Sequence, residues 1–121
     1  MSNRPELASC FTTSERDLIR REMGQRFGSF PCLADGIWLR SWRTGERKGQ
    51  PKIPPAIQTM MDRGIVDIRQ APRGFHAFFT EAGITELRLL LRDRRAMDPV
   101  RFAHLRRELG VDAAEEKLAA E

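Results

Sequence analysis

The stretch RGIVDIRQAPRGFHAFFTEAG, residues 63–83, constrains this chain more than any other. Two β-type runs, residues 65–69 and 75–79, flank Gln70-Ala71-Pro72-Arg73-Gly74. That pattern predicts a hairpin with a five-residue loop. Gly64 is the natural stop of a preceding helix, because it lets the chain reverse with a positive φ. Thr80 is a preferred N-cap, and Glu81 suits the positive end of the next helix dipole. The hairpin is thus held at both ends of its base, where Ile65 and Phe79 face the core. Its tip lies outside the core and carries Arg69 and Arg73.

The rest of the chain supplies helices around this unit. Residues 1–11 read as a loose arm. A helix starts near Thr13 or Ser14, with Ser14 and Asp17 spaced as in a capping box. Ile19, Met23 and Phe27 mark its buried stripe, and Gly24 and Gly28 fray its end. Residues 33–54 admit two periods. Alternation sets Ile37, Leu39 and Ser41 against Trp38, Arg40 and Trp42, as in a strand. Helical spacing instead pairs Leu33 with Ile37 and Trp38 with Trp42, and a short helix is the favoured reading. TGERKGQPK, residues 44–52, is an exposed basic loop. Pro54-Pro55 opens a helix that runs to about Arg63, with Ile57, Met60 and Met61 inward.

After the hairpin, Ile84, Leu87, Leu90 and Leu91 line one face of a helix that continues through Arg92 and Arg95. Asp98-Pro99 restarts a helix with Phe102, Leu105 and Leu109 on one face, and Gly110 stops it. Asp112 with Glu115 caps a last acidic turn. The fold class is therefore α+β, mainly α. It comprises an arm (1–11), a main domain (12–97) and a C-terminal helical extension (98–121).

Charge is uneven along the chain. Residues 1–39 carry five basic and five acidic groups, residues 40–73 eight and three, residues 74–107 seven and four, and residues 108–121 one and five. A positive field concentrated in the middle is the footprint of a polyanion-binding face, although 18 arginines among 21 basic residues also fit a bias of genome composition. Two cysteines, Cys10 and Cys32, and two histidines, His76 and His104, lack the number and spacing of a disulfide framework or a metal site. No apolar run approaches the ~20 residues that span a bilayer, and a cytoplasmic protein is expected. Paired catalytic carboxylates, phosphate-binding glycine loops and nucleophile elbows are missing, so no enzyme and no cofactor is expected.

The order helix, short element, helix, hairpin, helix is the plan of a winged helix-turn-helix. MMDRGIVDIR followed by FHAFFTEAGITEL resembles the end of the recognition helix, the wing and the next helix of bacterial MarR- and PadR-type regulators. The resemblance covers residues 50–91, with Phe79 in the place of a leucine before Thr-Glu-Ala-Gly. It implies a winged helix with a two- or three-stranded wing and an extra C-terminal helix. It also implies double-stranded DNA as the partner and a role in transcription regulation.

On that reading Gln58 and Thr59 face the major groove, where Gln can read adenine and Thr the thymine methyl. Arg63 faces DNA or braces the wing. Lys48 and Lys52 suit phosphates beside the helix start, and Arg69 and Arg73 reach phosphates or a narrow minor groove. Each of these residues equally suits a solvated surface. Trp38 and Trp42 are expected to fill a core or a partner interface rather than stack on bases. The stripe of Phe102, Leu105 and Leu109 needs cover, from a homodimer partner or from the chain itself. The competing function is a winged-helix adaptor that binds protein and reads no DNA sequence.

Overall fold

The computed structural model describes residues 10–111. Its elements are α1 (Thr13–Met23), β1 (Ile37–Leu39), α2 (Pro55–Asp62), β2 (Val66–Ala71), β3 (Gly74–Phe79), α3 (Glu81–Arg92) and α4 (Ala103–Leu109). The fold is α+β. The expected cap at Asp112 and Glu115 lies outside the described residues, as do residues 1–9 of the expected arm. Two compact units divide the chain, one formed by Met1–Cys32 with Thr85–Glu121 and the other by Leu33–Ile84.

The first unit is helical. α1 begins at Thr13, with its cap two residues earlier than the Ser14–Asp17 spacing suggests. Thr12 accepts from the Glu15 N–H, and the Glu15 side chain accepts from the Thr12 N–H. Glu at the third position reaches back where Asp is too short, so this pair forms the capping box. Leu18, Ile19 and Met23 are buried, but the helix stops at Met23 and Phe27 is fully exposed with a positive φ of 49°. The expected stripe is therefore one residue shorter. Cys10 and Phe11 are not loose. The Cys10 N–H donates to Glu86 Oε1 at 2.8 Å, and Phe11 is buried.

α3 ends at Arg92, short of the expected Arg94 and Arg95. Asp93 accepts from the N–H groups of Arg95 and Ala96 and starts a turn instead. Asp98 likewise caps a turn, through the Val100 N–H, and the helix proper begins only at Ala103. Gly110 stops it in the left-handed conformation. Phe102 and Leu105 are completely buried within the single chain. Their stripe folds back, so these two residues are not a surface for a second copy, and Leu109 is half-buried.

The second unit is a three-stranded antiparallel sheet of order β1-β3-β2 with α2. Residues 37–39 are a strand, not the favoured helix, and their burial alternates with Ile37 and Leu39 inside and Trp38 outside. Pairing along β3 decides this, because Ile37, Trp38 and Leu39 lie opposite Ala77, His76 and Phe75. No helix lies between β1 and α2, so α2 lacks the preceding helix of a tight helix-turn-helix. The hairpin is tighter than expected. β2 and β3 pair up to Ala71 and Gly74, leaving Pro72 and Arg73 as a two-residue turn.

The Thr-Glu-Ala-Gly segment works as a clamp. Thr80 Oγ1 accepts from the Gly83 N–H at 3.1 Å and donates to the Gly64 carbonyl at 2.6 Å. Gly64 has the expected positive φ, 73°. The Thr80 N–H donates to the Ile65 carbonyl at 2.9 Å. A Cβ on Gly83 would stand 2.1 Å from that same carbonyl oxygen, so only glycine lets the start of α3 lie against the base of the hairpin.

Candidate nucleic-acid interface

The segment between β1 and α2 is ordered by its own backbone. The Trp42 N–H donates to the Gln50 carbonyl and the Gly49 N–H to the Trp42 carbonyl, both at 2.9 Å. The Lys52 N–H donates to the Arg40 carbonyl at 2.6 Å, and Ser41 bridges to Pro51. TGERKGQPK is therefore the end of a narrow, hairpin-like excursion. Its exposure and basic charge agree with expectation. Its folding back sets Arg40 next to Lys52, twelve positions away in sequence.

This excursion and the β2–β3 turn enclose an open hollow of about 790 Å³, lined by Trp38, Arg40, Ser41, Trp42, Arg43, Lys52 and Arg73. Four of the seven lining residues are cations and none is a carboxylate. Among the described residues none of the four is ion-paired. Lys52 instead places its ammonium 4.7 Å from the centre of the Trp42 ring, and the Arg47 guanidinium stands 6.0 Å from the same ring. Like charges gathered without counter-charge repel one another, and an anion removes that repulsion. Arg73 also lines a second hollow of about 440 Å³ with Ala34, Asp35, Ala71, Pro72, His76 and Phe78. The turn between β2 and β3 thus carries its arginine between two concave surfaces.

Of the seven residues singled out from sequence, Lys52 and Arg73 meet in the larger hollow. Lys48 is exposed in the excursion, where its N–H closes a turn on Gly45. Gln58 and Thr59 are exposed on α2, but both side chains serve that helix. Gln58 Nε2 donates to Asp62 Oδ1 at 2.9 Å, and the Thr59 hydroxyl donates to the Ala56 carbonyl at 3.0 Å. Arg63 is exposed at the C-cap of α2. Arg69 lies on β2 with its guanidinium 4.1 Å from the centre of the Phe78 ring.

Sequence reasoning did not assign Arg40 and Arg43 to this site, and it placed the tryptophans in a core or a partner interface, of which the structure excludes the core. Trp38 is instead 54% exposed and Trp42 38%. The signal was present in the alternation of residues 37–42, which puts Trp38, Arg40 and Trp42 on one side. It was outweighed by the equally good helical spacing, because a three-residue strand is too short for period to decide. His76 uses Nδ1 to donate to the Asp35 carbonyl at 2.9 Å, which anchors the chain entering β1. Cys10 and Cys32 are half-buried and form no disulfide. Among the described residues no group of three or more His, Cys, Asp or Glu side chains could hold a metal ion. No helix among them is long and apolar enough to cross a membrane. No protein-family model, curated protein or solved structure matches this chain.

Proposed function

We propose that this protein binds DNA and acts as a transcriptional regulator, with the β2–β3 hairpin as a wing and α2 as the helix presented to the major groove. One observation carries the reading. Arg40, Arg43, Lys52 and Arg73 come from three separate stretches of chain and converge on one hollow that no carboxylate lines. On this reading the excursion between β1 and α2 replaces the first helix of a helix-turn-helix and supplies phosphate contacts in its stead. Phosphate contacts set register and affinity, while Gln58 and Thr59 contribute sequence preference by exchanging their bonds within α2 for bonds to base edges.

Titration of a labelled random-sequence duplex at several salt concentrations tests the reading. Four phosphate contacts give a slope of log K against log salt of about −3.6, at roughly 0.9 per phosphate. Absence of binding at low salt overturns it. Selection from random DNA then separates a regulator, which enriches a motif, from a charge-driven binder, which does not.

A second reading, a protein-interaction module, is favoured by the exposure of Trp38 and Trp42, since tryptophan and arginine are enriched in protein interfaces. It requires no steep salt dependence on heparin or DNA.

A further inference from the structure

The side of the sheet opposite Ile37, Leu39 and Ala77 carries rings. Side chains alternate across a strand, so Trp38 of β1, His76 and Phe78 of β3, and Asp67, Arg69 and Ala71 of β2 share the open face. Trp38, His76 and Arg69 form one rung across all three strands. The His76 and Phe78 rings lie 6.1 Å apart, inclined at 30°, and the Arg69 guanidinium covers Phe78. At the turn, a Cβ on Gly74 would stand 3.6 Å from Trp38 Nε1, so the indole edge lies against the hairpin tip. Trp38 is also a wall of the larger hollow, beside Trp42 and the four cations. On this face the Leu33–Ile84 unit therefore sets flat rings beside positive charges, with Asp67 opposite Phe78 as the acidic exception.

We infer that this surface binds a single strand of nucleic acid. Unpaired bases stack on Trp38 and Trp42, and the intervening phosphates sit against Arg40, Arg43, Lys52 and Arg73. The inference rests on the nucleic-acid reading above and gives its four cations a second occupant, an unpaired strand beside the duplex. In a duplex the bases stack on one another and offer a protein only their edges in the grooves. An indole at this site has a face to offer, one N–H donor and no acceptor. It is matched to a base face, and base faces are open only in an unpaired strand. Stacking on aromatic side chains combined with a positive groove is the general means by which proteins hold single strands, and it tolerates any sequence. Charge complementarity selects a polyanion over an apolar peptide, because four cations with no lining carboxylate oppose burial under a neutral partner.

The chain has two tryptophans and no tyrosine, so with excitation at about 295 nm, where only indole absorbs, its intrinsic fluorescence comes from this surface alone. The experiment titrates the full chain with oligo(dT) of about 20 nucleotides, several site sizes long, and separately with the oligo(dT)·oligo(dA) duplex of the same length. The expected result is quenching by oligo(dT) and an affinity about a hundredfold above the duplex at equal salt, about tenfold for each of the two stacked bases. Trp42→Ala and Trp38→Ala should each lower that preference, read as the ratio of the oligo(dT) to the duplex affinity, by about tenfold. Trp42 lies in the exposed excursion, so its variant keeps the test decisive if Trp38→Ala fails to fold. Binding of both nucleic acids with equal affinity and no quenching overturns the single-strand inference and leaves the nucleic-acid reading standing. Binding of neither overturns both.

Discussion

Arginine does two different things in the two units of this chain. In the helical unit it is tied to backbone carbonyls. Arg101 donates to the Arg20 carbonyl at 3.0 Å, Arg20 to Ala96 at 3.1 Å and Arg88 to Leu109 at 3.2 Å. Arg26 donates to the Arg21 carbonyl, and Arg106, completely buried, to that of Leu91. Arg20, Arg21, Leu91 and Leu109 all lie in the last turns of helices, where carbonyls have no intrahelical donor. A guanidinium answers that need with several donors and a charge that suits the negative end of the helix. In the Leu33–Ile84 unit Arg40, Arg43 and Arg73 line a hollow. The same residue type therefore stabilises one unit and is held ready for a ligand in the other. Counting arginines along the chain does not separate the two roles.

The largest effect that would break this comparison is in the helical unit. Arg106→Ala leaves the Leu91 carbonyl and the surrounding space unfilled, and should cost about 3 kcal/mol and lower Tm by roughly 10 °C. Thermal unfolding followed by circular dichroism measures it. A variant as stable as the wild type would mean that neither the buried guanidinium nor its packing contributes to stability.

The mirror experiment is in the sheet unit. Lys52→Ala with Arg73→Ala should leave Tm within about 2 °C, because both side chains are exposed. DNA affinity at 0.15 M salt should fall roughly 30-fold and the salt slope should flatten by about two, the loss expected for two phosphate contacts. Unchanged anisotropy titrations would show that the hollow takes no phosphate.

Stability in the sheet unit resides in devices of another kind. Thr80→Ala removes the cap on the Gly83 N–H and the bond to the Gly64 carbonyl, and should cost about 1 kcal/mol. Hydrogen exchange should localise the loss to the first turn of α3 and the base of the hairpin. Uniform loss of protection along the chain would argue against a local clamp.

The smallest effect sharpens the first. Arg20 also pairs with Asp17 at 2.7 Å, across an exposed surface. Asp17→Ala should change stability by less than about 0.5 kcal/mol, since exposed pairs are screened. Arg20→Ala should cost more than that, through its bond to the Ala96 carbonyl. Equal costs would assign the role of Arg20 to the ion pair rather than to the carbonyl.

The sequence by itself determined the elements whose signals are local. Pro54-Pro55 starts α2, Gly64 ends it, Pro72 lies in the turn and Gly74 follows it, Thr80 caps α3 and Gly110 stops α4. Each acts through backbone geometry or an orphan N–H within a few residues, so composition at one place is sufficient. Tertiary structure decided what depends on distant partners. Residues 37–39 are a strand because β3 offers them an edge 36 to 40 positions away. Phe102 and Leu105 are core because their own chain buries them, although an amphipathic stripe reads the same with either cover. The hollow exists because backbone pairing returns Lys52 to Arg40 and the hairpin brings Arg73 beside them. Periodicity records which face of an element is apolar, and it carries no information on which distant surface meets that face.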